Sequence, residues 1–456
     1  MENYTIFDFL YPKYKIEKPI RLIELFAGYG SQALALKYLN IDFEHWKISE
    51  WSHKSIQAYN DLHIQDYTDY SSDYTDEEII EKLVRYGVSL NYNNPATKEQ
   101  IKRQKYRTIY NNIIATKNLV NIQKIKGKDL EIIDTEKFTY ILTYSFPCQD
   151  LSVAGKRKGM ADTNTRSGLL WEVERIMKEL KKENSLPDIL LMENVPQVHG
   201  SDNIEHFNNW QFELEKLGYK NYFKDLIATD YGIPQTRNRC FMVSILGEYN
   251  YSFPKPKKLN LKLSDLLEKD VNNKYYLKPG TLKCFLTQKE GGFPRRDRFI
   301  KSLELTNGKD LAGTLTALQG NKPTDNHICK EYLLIKNATE KGYIEADCSS
   351  MKLVGTYQFS KSDKFMKGKD RFQQNKNLSD TLQTSPKEAV VIKQNKKIIS
   401  DLRIRKLTPK ECFRLMGVKD EDFEKVRKNQ SDSSLYHLAG DSIVVNVLMA
   451  IFNELL

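Results

Sequence analysis

Apolar and polar residues alternate along the first 250 positions in the way that short strands and amphipathic helices require. Residues 20–26 form a short β-rich run, residues 32–39 carry apolar side chains at helical spacing, and Phe43–Ser49 is a second short run. Strand, helix and strand in this order are typical of the opening of a doubly wound α/β domain.

The same pattern returns after an interruption. Residues 61–128, called the inserted segment below, are polar and weakly periodic, and we expect helix only near residues 77–86 and 98–115. The regular elements that follow are predicted as strands at 138–145, 189–192, 219–228 and 240–246, and as helices at 167–182, 204–217, 409–415 and 441–455. Thr408 before Pro409 is a favoured start for the helix at 409–415.

Composition changes sharply after Pro254-Lys-Pro-Lys-Lys258. Residues 251–400 hold 29 Lys and Arg against 16 Asp and Glu, although the net charge of all 456 residues is only +10. Such a segment indicates a surface that binds a polyanion, with a merely solvated basic surface as the alternative. We therefore predict three regions: 1–250, 251–404, and 405–456 returning to the first.

Several classes of protein do not fit this composition. The six cysteines contain no C-x-x-C pair, which argues against a zinc ribbon or a disulfide framework, and we predict no metal. The first ten residues lack the basic-then-apolar order of a signal peptide, and no apolar stretch reaches the ~20 residues of a membrane span. We expect a cytoplasmic protein.

Four predicted strands end in residues that carry chemistry. In chain order these ends are Phe26-Ala-Gly-Tyr-Gly30, Glu50-Trp51, Pro147-Cys148-Gln149 and Glu193-Asn194. Each alone has a plain structural reading as a tight turn, a helix cap or a buried thiol. Open α/β sheets bind ligands at the carboxyl ends of their strands, so the ordered set predicts a ligand site there.

The first of these ends favours a nucleoside without phosphates. It lacks the three glycines of a dinucleotide fingerprint, so a pyrophosphate cradle is not expected. Gly28 and Gly30 allow the backbone to approach a ligand, Glu50 suits ribose hydroxyls, and Trp51 offers an aromatic face. S-adenosylmethionine fits this description.

Seven phrases of the chain resemble the DNA cytosine-C5 methyltransferase family of bacterial or phage type. They are Phe26-Ala-Gly-Tyr-Gly, Glu50-Trp, Phe146-Pro-Cys-Gln, Glu193-Asn-Val, Gln235-x-Arg-x-Arg, Arg405-Lys-Leu-Thr-Pro through Met-Gly417, and Gly440-Asp-Ser. The resemblance covers residues 21–246 and 405–456. It implies an α/β, Rossmann-like S-adenosylmethionine-dependent domain with a mostly parallel sheet, and a smaller irregular target recognition domain.

The residue types suit methylation of cytosine at C5. That carbon is electron-poor until a thiolate adds at C6, and cysteine is the natural nucleophile for such an addition. By resemblance, Cys148 is the nucleophile, Glu193 contacts N3 and the exocyclic amine, and Arg239 contacts O2. The resemblance adds four supporting residues: Phe146, whose carbonyl faces the amine, and Pro147, Gln235 and Arg237.

The resemblance also assigns the cofactor contacts. These residues are Phe26, Ala27, Gly28, Gly30, Glu50, Trp51, Asp129, Leu169, Asp441 and Ser442. One of them departs from the family pattern, because Asp441 stands where Asn is usual and places an added carboxylate beside the cofactor. Asp129 directly follows the inserted segment.

A base inside a duplex must be extruded before an enzyme reaches its ring. Residues 151–159 resemble the family's mobile loop, which closes over the base, and the basic segment stands where the family has its target recognition domain. The predicted DNA-binding residues are Gln149, Ser152, Gly155, Lys156, Arg157, Lys158, Arg295, Arg296, Arg298, Thr381 and Leu382. Thr381-Leu382 is preferred to Thr314-Leu315 as the recognition-domain marker because of its distance from Arg405.

Two other functions remain open at this point. The same catalytic phrases occur in tRNA cytosine-C5 methyltransferases, although the long basic segment favours double-stranded DNA. A catalytically silent DNA-binding regulator is the second alternative, which the presence of Cys148, Glu193 and Arg239 disfavours. We expect a monomer, with a cognate restriction endonuclease as a possible companion that need not bind it.

Overall fold

The computed structural model describes residues 11–147, 167–277, 295–315, 326–329, 353–356, 390–394, 397–399 and 404–456. The chain divides into two compact units. The sheet unit comprises Met1–Ile233, Arg237–Leu259 and Met416–Leu456, and the second unit comprises Pro234–Thr236 and Asn260–Leu415. Each unit is therefore built from separated parts of the chain.

The sheet unit is organised around six strands in the order β2-β1-β3-β4-β6-β5. Strand β6 is antiparallel to both of its neighbours, and the other strands run parallel to one another. These strands are β1 (Ile20–Leu25), β2 (Phe43–Ser49), β3 (Thr139–Tyr144), β4 (Ile189–Asn194), β5 (Tyr219–Ile227) and β6 (Asn238–Leu246). The predicted α/β class with a mostly parallel sheet is confirmed.

Helices connect these strands and continue into the C-terminal part. In chain order they are α1 (Ser31–Tyr38), α2 (His53–Tyr59), α3 (Asp76–Tyr86), α4 (Lys98–Lys102), α5 (Tyr106–Ala115), α6 (Leu170–Lys182), α7 (Ile204–Leu217), α8 (Arg295–Leu303), α9 (Pro409–Leu415), α10 (Asp420–Arg427), α11 (Asp432–Asp441) and α12 (Val445–Leu455). The predicted elements of the first 250 residues lie within a few positions of these bounds.

The central strands are apolar on both sides because helices cover both faces of the sheet. Every residue of β3 and of β4 is buried. Leu190 and Met192 of β4 belong to one core cluster with Val173 of α6 and Trp210 of α7. On β1, Glu24 points to the opposite face from Ile23 and accepts a hydrogen bond from the backbone of Ala33 in α1. The sheet is thus enclosed between two helical layers.

The inserted segment has its own small core. Capping boxes start α3 at Thr75 and α4 at Thr97, and Ile79, Ile101 and Ile109 are buried in one cluster. Helix is present near both expected ranges, as α3 and as the pair α4 and α5, and the chain turns at residues 103–105 between that pair. The turn allows Ile101 and Ile109 to reach the same cluster.

The prediction of a helix at 441–455 is wrong in its first residue, because the helix begins at Val445. Ser442 (φ −87°, ψ 175°) and Val444 (φ −66°, ψ 115°) are extended and separate α11 from α12. In the part of the chain that the structure describes, Asp432–Leu455 is long and apolar enough to cross a membrane, but 72% of its 18-residue apolar stretch is buried inside the protein. Two packed core helices account for this composition.

The second unit is described in part. Its strands are β7 (His327–Ile328), β8 (Leu353–Thr356), β9 (Val390–Gln394), β10 (Lys397–Ile399) and β11 (Arg405–Lys406), with β7 paired to β11 and β9 between β8 and β10. Arg405 makes a buried bidentate ion pair with Glu411, at 2.7 and 2.8 Å. This pair fixes the start of α9 to the strand before it.

Candidate active site

The turn after β1 has a backbone that few side chains tolerate. Phe26, Gly28 and Gly30 have φ of 58°, 57° and 81°, all in the left-handed region. A Cβ at Gly30 would lie 2.5 Å from Nε2 of His63 and 2.7 Å from the Tyr59 ring, so this position accepts only glycine. A Cβ at Gly28 would meet nothing within 4 Å, so the Gly28 backbone faces open space.

Glu50 holds this turn to the end of β2. Its carboxylate accepts hydrogen bonds from the backbone N–H of Gly28 at 2.9 Å and of Ser52 at 2.7 Å. The side chain of Asn118 binds both the N–H and the carbonyl of Glu50. Burial raises the pKa of the Glu50 carboxyl to about 7, although the backbone hydrogen bonds lower it.

A cavity lies against this turn, called the strand-end cavity below. Its apolar walls include Phe26, Tyr29, Leu438 and Ile443, and its polar walls include Ser31, Gln32, Ser55, Ser145, Asp441 and Ser442. Among the described residues that line it, none is a lysine or an arginine. The described walls therefore offer aromatic rings, hydroxyls and a carboxylate, and no cation that would bind a phosphate. Such walls fit an adenosine that carries an amino acid, as in S-adenosylmethionine.

The predicted cofactor residues fall into two groups. Phe26, Ala27, Gly28, Asp441 and Ser442 line the strand-end cavity, while Gly30 and Glu50 shape the turn beside it. The other three have structural partners: Trp51 packs on the core of the inserted segment, Leu169 packs on the main core, and the Asp129 carboxylate accepts a hydrogen bond from the Lys126 N–H at 2.8 Å. The cofactor roles of these three residues stay predictions.

Arg237 fixes the far wall of the strand-end cavity. Its side chain is buried, and Nη2 donates to the carbonyls of Gly440 at 3.1 Å and Ser442 at 2.7 Å. The Ser442 hydroxyl accepts a hydrogen bond from Tyr29, at 2.9 Å. Arg237 and Tyr29 therefore hold the segment between α11 and α12, where the chain leaves helical geometry.

Glu193 and Arg239 meet at the carboxyl end of β4. The register pairs Glu193 with Phe241, and the Arg239 Nε lies 3.1 Å from the Glu193 carboxylate. Burial raises the pKa of Glu193, and the positive charges of Arg239 and Arg237 act in the opposite direction. An acid of this kind can hold its proton closer to neutral pH than a solvated glutamate does.

Phe146 joins this pair to the strand-end cavity. Its carbonyl accepts a hydrogen bond from the side-chain amide of Asn194, at 2.9 Å, and the preceding Ser145 lines the cavity. The backbone thus leads from the cavity to Pro147. Cys148, Gln149, Ser152, Gly155, Lys156, Arg157 and Lys158 lie outside the described residues.

Gln235 is buried in the second unit. Its side chain donates to the carbonyl of Leu415 at 2.8 Å and accepts from the N–H of Leu315 at 3.2 Å. Among the predicted DNA-binding residues, Arg295 and Arg296 start α8, and Arg298 on the same helix is exposed. Thr381 and Leu382 lie outside the described residues, so their role as a marker stays a prediction.

One group of donors in the described ranges has the composition of a metal site. Ligand atoms of His199, Asp225 and Cys240 lie within 4.8 Å of one another. His199 Nε2 is 2.9 Å from the Asp225 carboxylate, and Asp225 pairs with Cys240 across β5 and β6. Burial raises the pKa of the Cys240 thiol well above its usual range, which disfavours the thiolate that a metal needs. The group is a hydrogen-bonded pair of His199 and Asp225 beside a core thiol.

Several residues of the site were missed from the sequence. Ser55 and Ser145 line the strand-end cavity next to predicted phrases, and their positions beside strand ends were a usable signal. Tyr92 and His437 line it as well. Tyr92 belongs to the inserted segment, whose weak periodicity gave no sign that part of it returns to the site.

A family model described as C-5 cytosine-specific DNA methylase matches residues 84–456. Type II methyltransferase M2.ScrFI of Lactococcus lactis subsp. cremoris is 32% identical over 96% of this chain and 99% of its own length. Orphan methyltransferase M.SssI of Spiroplasma monobiae is 39% identical over 59% of this chain and 70% of its own length. The crystal structure of S. pombe Dnmt2 methyltransferase matches with a TM-score of 0.54 and 16% identity, covering 95% of this chain and 98% of that one, which shows a shared fold.

Proposed function

Because the chain belongs to the family of C-5 cytosine-specific DNA methylases, we propose that it methylates a flipped-out cytosine in a short DNA sequence through a covalent bond between Cys148 and C6. Family membership gives the coarser activity, the transfer of a methyl group from S-adenosylmethionine to C5 of cytosine in DNA. The covalent step and the recognition of one sequence are the finer points of the proposal.

The pair formed by Glu193 and Arg239 is the observation that supports it most. A buried acid and a guanidinium stand together at the end of β4, and the carbonyl of Phe146 is fixed at the end of the neighbouring β3. These are one proton donor, one cation and one acceptor, which complement N3, O2 and the exocyclic amine of cytosine. Thymine carries no amine to meet the acceptor.

In the proposed reaction the Cys148 thiolate adds to C6 of the ring. The electron pair of the C5–C6 double bond moves toward C5, while protonated Glu193 donates to N3 and Arg239 faces the charge that develops at O2. Bound S-adenosylmethionine supplies a methyl group on a positively charged sulfur. After C5 is methylated, a water molecule takes the C5 proton, and the electron pair of that C–H bond re-forms the C5–C6 double bond as Cys148 leaves C6 as a thiolate. N3 returns its proton to Glu193, which restores the aromatic ring.

DNA is the substrate of the family, and three features support base extrusion in this chain. Residues 151–159 are glycine-bounded and basic, the segment 251–400 carries a charge excess of +13, which is 29 minus 16, and Arg298 is exposed on α8. Contacts with phosphates offset the few kcal/mol that unstacking of a base costs. We assign DNA binding to this segment and leave the sequence that it reads to experiment.

The biological setting is part of the proposal. M2.ScrFI is named a type II methyltransferase and M.SssI an orphan methyltransferase, so relatives exist under both descriptions. We propose a monomeric enzyme of the cytoplasm that marks one short sequence and works without binding a nuclease. Bisulfite sequencing of DNA from cells that express the chain identifies the base and its sequence context together.

The decisive experiment is covalent trapping. The purified protein is incubated with S-adenosylmethionine and a duplex that contains 5-fluorocytosine at the methylated site, because fluorine at C5 cannot leave as the proton does. We expect a DNA adduct that survives denaturation and maps to Cys148 by mass spectrometry. The Cys148→Ala variant should form none, whereas the Cys412→Ala variant, which lacks a different buried thiol, should form the adduct.

The other outcomes separate the competing functions. Methylation of a tRNA but of no duplex DNA would identify an RNA enzyme. A Cys148→Ala variant that keeps its full effect on cells would identify a DNA-binding regulator. An active enzyme that forms no adduct would overturn the covalent mechanism and leave the coarser activity in place.

A further inference from the structure

The inserted segment returns to the strand-end cavity through a tight turn at residues 89–96. The Ser89 N–H donates to the carbonyl of Trp51 at 2.7 Å, and the Ser89 carbonyl accepts from the N–H of His53 at 3.1 Å. The turn is therefore fastened to the residues that immediately follow Glu50. The Asn91 side chain accepts hydrogen bonds from the N–H groups of Asn93 and Asn94 and closes the turn.

Tyr92 stands at the tip of this turn in an unusual conformation. Its φ is 62°, in the left-handed region that an aromatic residue adopts rarely and at a cost. Its hydroxyl oxygen is buried, with the side chains of Ser52 and Ser434 close to it. A strained backbone held by Asn91 and Ser89 aims this ring at one place.

That place is the imidazole of His437. The two ring centroids are 3.7 Å apart and the rings meet at 64°. One turn later on α11, the Asp441 carboxylate lies 2.9 Å from Nδ1 of His437. Tyr92, His437 and Asp441 all line the strand-end cavity.

Asp441 carries a half-exposed carboxylate near a second acid. Besides burial, its negative charge contributes to raising the pKa of Glu50, so the two carboxylates lie close enough to repel each other. The imidazole of His437 stands 2.9 Å from the Asp441 carboxylate in a close contact without hydrogen-bond geometry, and the Tyr92 ring packs on the imidazole and limits its rotation. An asparagine at position 441 would carry no charge and would not require this arrangement.

We propose that Tyr92 is a cofactor-positioning residue that acts through the pair formed by His437 and Asp441. The inserted segment thereby sets how tightly S-adenosylmethionine is held, while the chemistry stays with Cys148, Glu193 and Arg239. The inference rests on the proposed function only in taking the strand-end cavity as the cofactor site. Asp441 and the turn at residues 89–96 then act together on the binding of the cofactor.

The test is a double-mutant cycle on cofactor affinity, because such a cycle measures whether two positions act together. Binding of S-adenosylhomocysteine to the full chain is measured by titration calorimetry for the wild type, Tyr92→Ala, Asp441→Asn and the double variant. We expect Tyr92→Ala to weaken binding at least about tenfold in the wild-type background and less than about twofold in the Asp441→Asn background. Tyr92→Phe, which keeps the ring, should restore most of the affinity.

A kinetic measurement distinguishes positioning from general damage. Tyr92→Ala should raise KM for S-adenosylmethionine and leave kcat within about twofold of the wild type. The control is Tyr67→Ala, which removes an exposed tyrosine of the same segment and should change neither constant. Should Tyr92→Ala fail to fold in a thermal melt, His437→Gln replaces it in the cycle with the same expectation.

Equal losses in both backgrounds, or no loss in the wild-type background, would overturn the inference. A wild-type protein that binds no S-adenosylhomocysteine would instead overturn the assignment of the cavity, and with it the proposed function. The two failures are therefore distinct.

Discussion

The carboxyl of Glu193 is the residue on which the proposed chemistry depends most directly. It is buried at the end of β4 beside Arg239, and burial raises its pKa while the neighbouring guanidinium groups lower it. The raised pKa enlarges the protonated fraction near neutral pH, and the protonated form is the one that donates to N3 of the base. Activity should therefore favour the acidic side of the Glu193 titration.

We predict that Glu193→Gln lowers kcat by about 10²-fold or more, because an amide cannot transfer a proton to the ring. The ratio of wild-type to variant kcat should fall as pH rises through the Glu193 pKa, since only the wild type loses its proton. Methyl transfer measured at several pH values gives this ratio, in which the titration of Cys148 cancels. Glu215→Gln, an exposed change on α7, serves as the control, and equal kcat values for Glu193→Gln and wild type would contradict the assignment.

Glu24 is a second buried acid, and it has a structural role. Its carboxylate accepts from the Tyr59 hydroxyl at 2.6 Å, and His45 lies 2.9 Å from the same hydroxyl. Burial raises the pKa of Glu24 to about 7 and lowers that of His45 to about 4. The network is therefore uncharged under mildly acidic conditions.

This network predicts a dependence of stability on pH. The pKa of Glu24 is higher in the folded protein than in the unfolded chain. Its contribution to stability is therefore complete when the pH is below the pKa of the unfolded chain, and it is lost as the pH rises through the folded pKa of about 7. The stability of the wild type relative to Glu24→Gln should fall by up to about 3 kcal/mol between pH 5 and 8. Urea unfolding at both pH values measures it, and the similar titration of Glu50 cancels because both proteins contain it. Parallel pH profiles would rule out this role for Glu24.

At the scale of elements, the reversed strand β6 determines the geometry of the site. Because β6 runs antiparallel to β4, its beginning lies beside the end of β4, and Arg239 meets Glu193 there. A parallel strand at this position would have brought its last residues to Glu193. The hairpin of β5 and β6 is thus the reason that an arginine early in a strand serves a site at the carboxyl edge.

The break between α11 and α12 matters for the same site. We predict that Arg237→Lys weakens S-adenosylhomocysteine binding about tenfold and lowers Tm, because the shorter lysine side chain does not bring its nitrogen to the place from which Nη2 binds the Gly440 and Ser442 carbonyls. Calorimetry and a thermal melt measure the two effects. Arg239→Lys is the matched comparison and should lower turnover with little change in cofactor affinity. If Arg239→Lys lost affinity for S-adenosylhomocysteine and Arg237→Lys did not, the roles assigned to the two arginines would be reversed.

Elements with strong local patterns could be predicted from the sequence. β2 and α7 have the predicted bounds, because each has a clear periodicity and is followed by a charged residue or a glycine, Glu50 and Gly218 respectively. The helix predicted at 441–455 begins later, because the contacts that hold Ser442 come from Arg237, which lies 205 positions away. Local spacing carries no information about such a contact.

The site divides in the same way. The turn at Phe26–Gly30 followed from a motif at a strand end, whereas Glu193 and Arg239 were assigned by resemblance to separate contacts with the base, and their ion pair was not predicted. Tyr92 did not, because its place beside His437 depends on how the inserted segment folds back, and that segment is polar with little pattern. Asp129 was assigned to the cofactor by resemblance, and in the structure its carboxylate accepts a hydrogen bond from the backbone of Lys126 in a local turn.

At the scale of the whole molecule, charge is concentrated in one part of the chain. The 29 basic residues between 251 and 400 predict binding to DNA that weakens steeply with salt, because each neutralised phosphate releases counterions. We expect the affinity for a duplex without the target sequence to fall at least about tenfold between 50 and 200 mM salt. Fluorescence anisotropy over that range measures the slope.

One exposed arginine refines this expectation. If Arg298 contacts a phosphate, Arg298→Ala should reduce the slope of log affinity against log salt by about 1. Lys182→Ala, which removes an exposed cation at the end of α6 in the sheet unit, is the control and should leave the slope unchanged. An unchanged slope for Arg298→Ala would place that residue outside the DNA contact.

The strand-end cavity is walled by residues 26–145 and by residues 437–443, with the whole second unit between them in the chain. A nascent polypeptide therefore has no complete strand-end cavity until the second unit has been translated and residues 437–443 have followed it. A chain cut short anywhere in the second unit would lack one wall of the cavity, however well its first 233 residues folded.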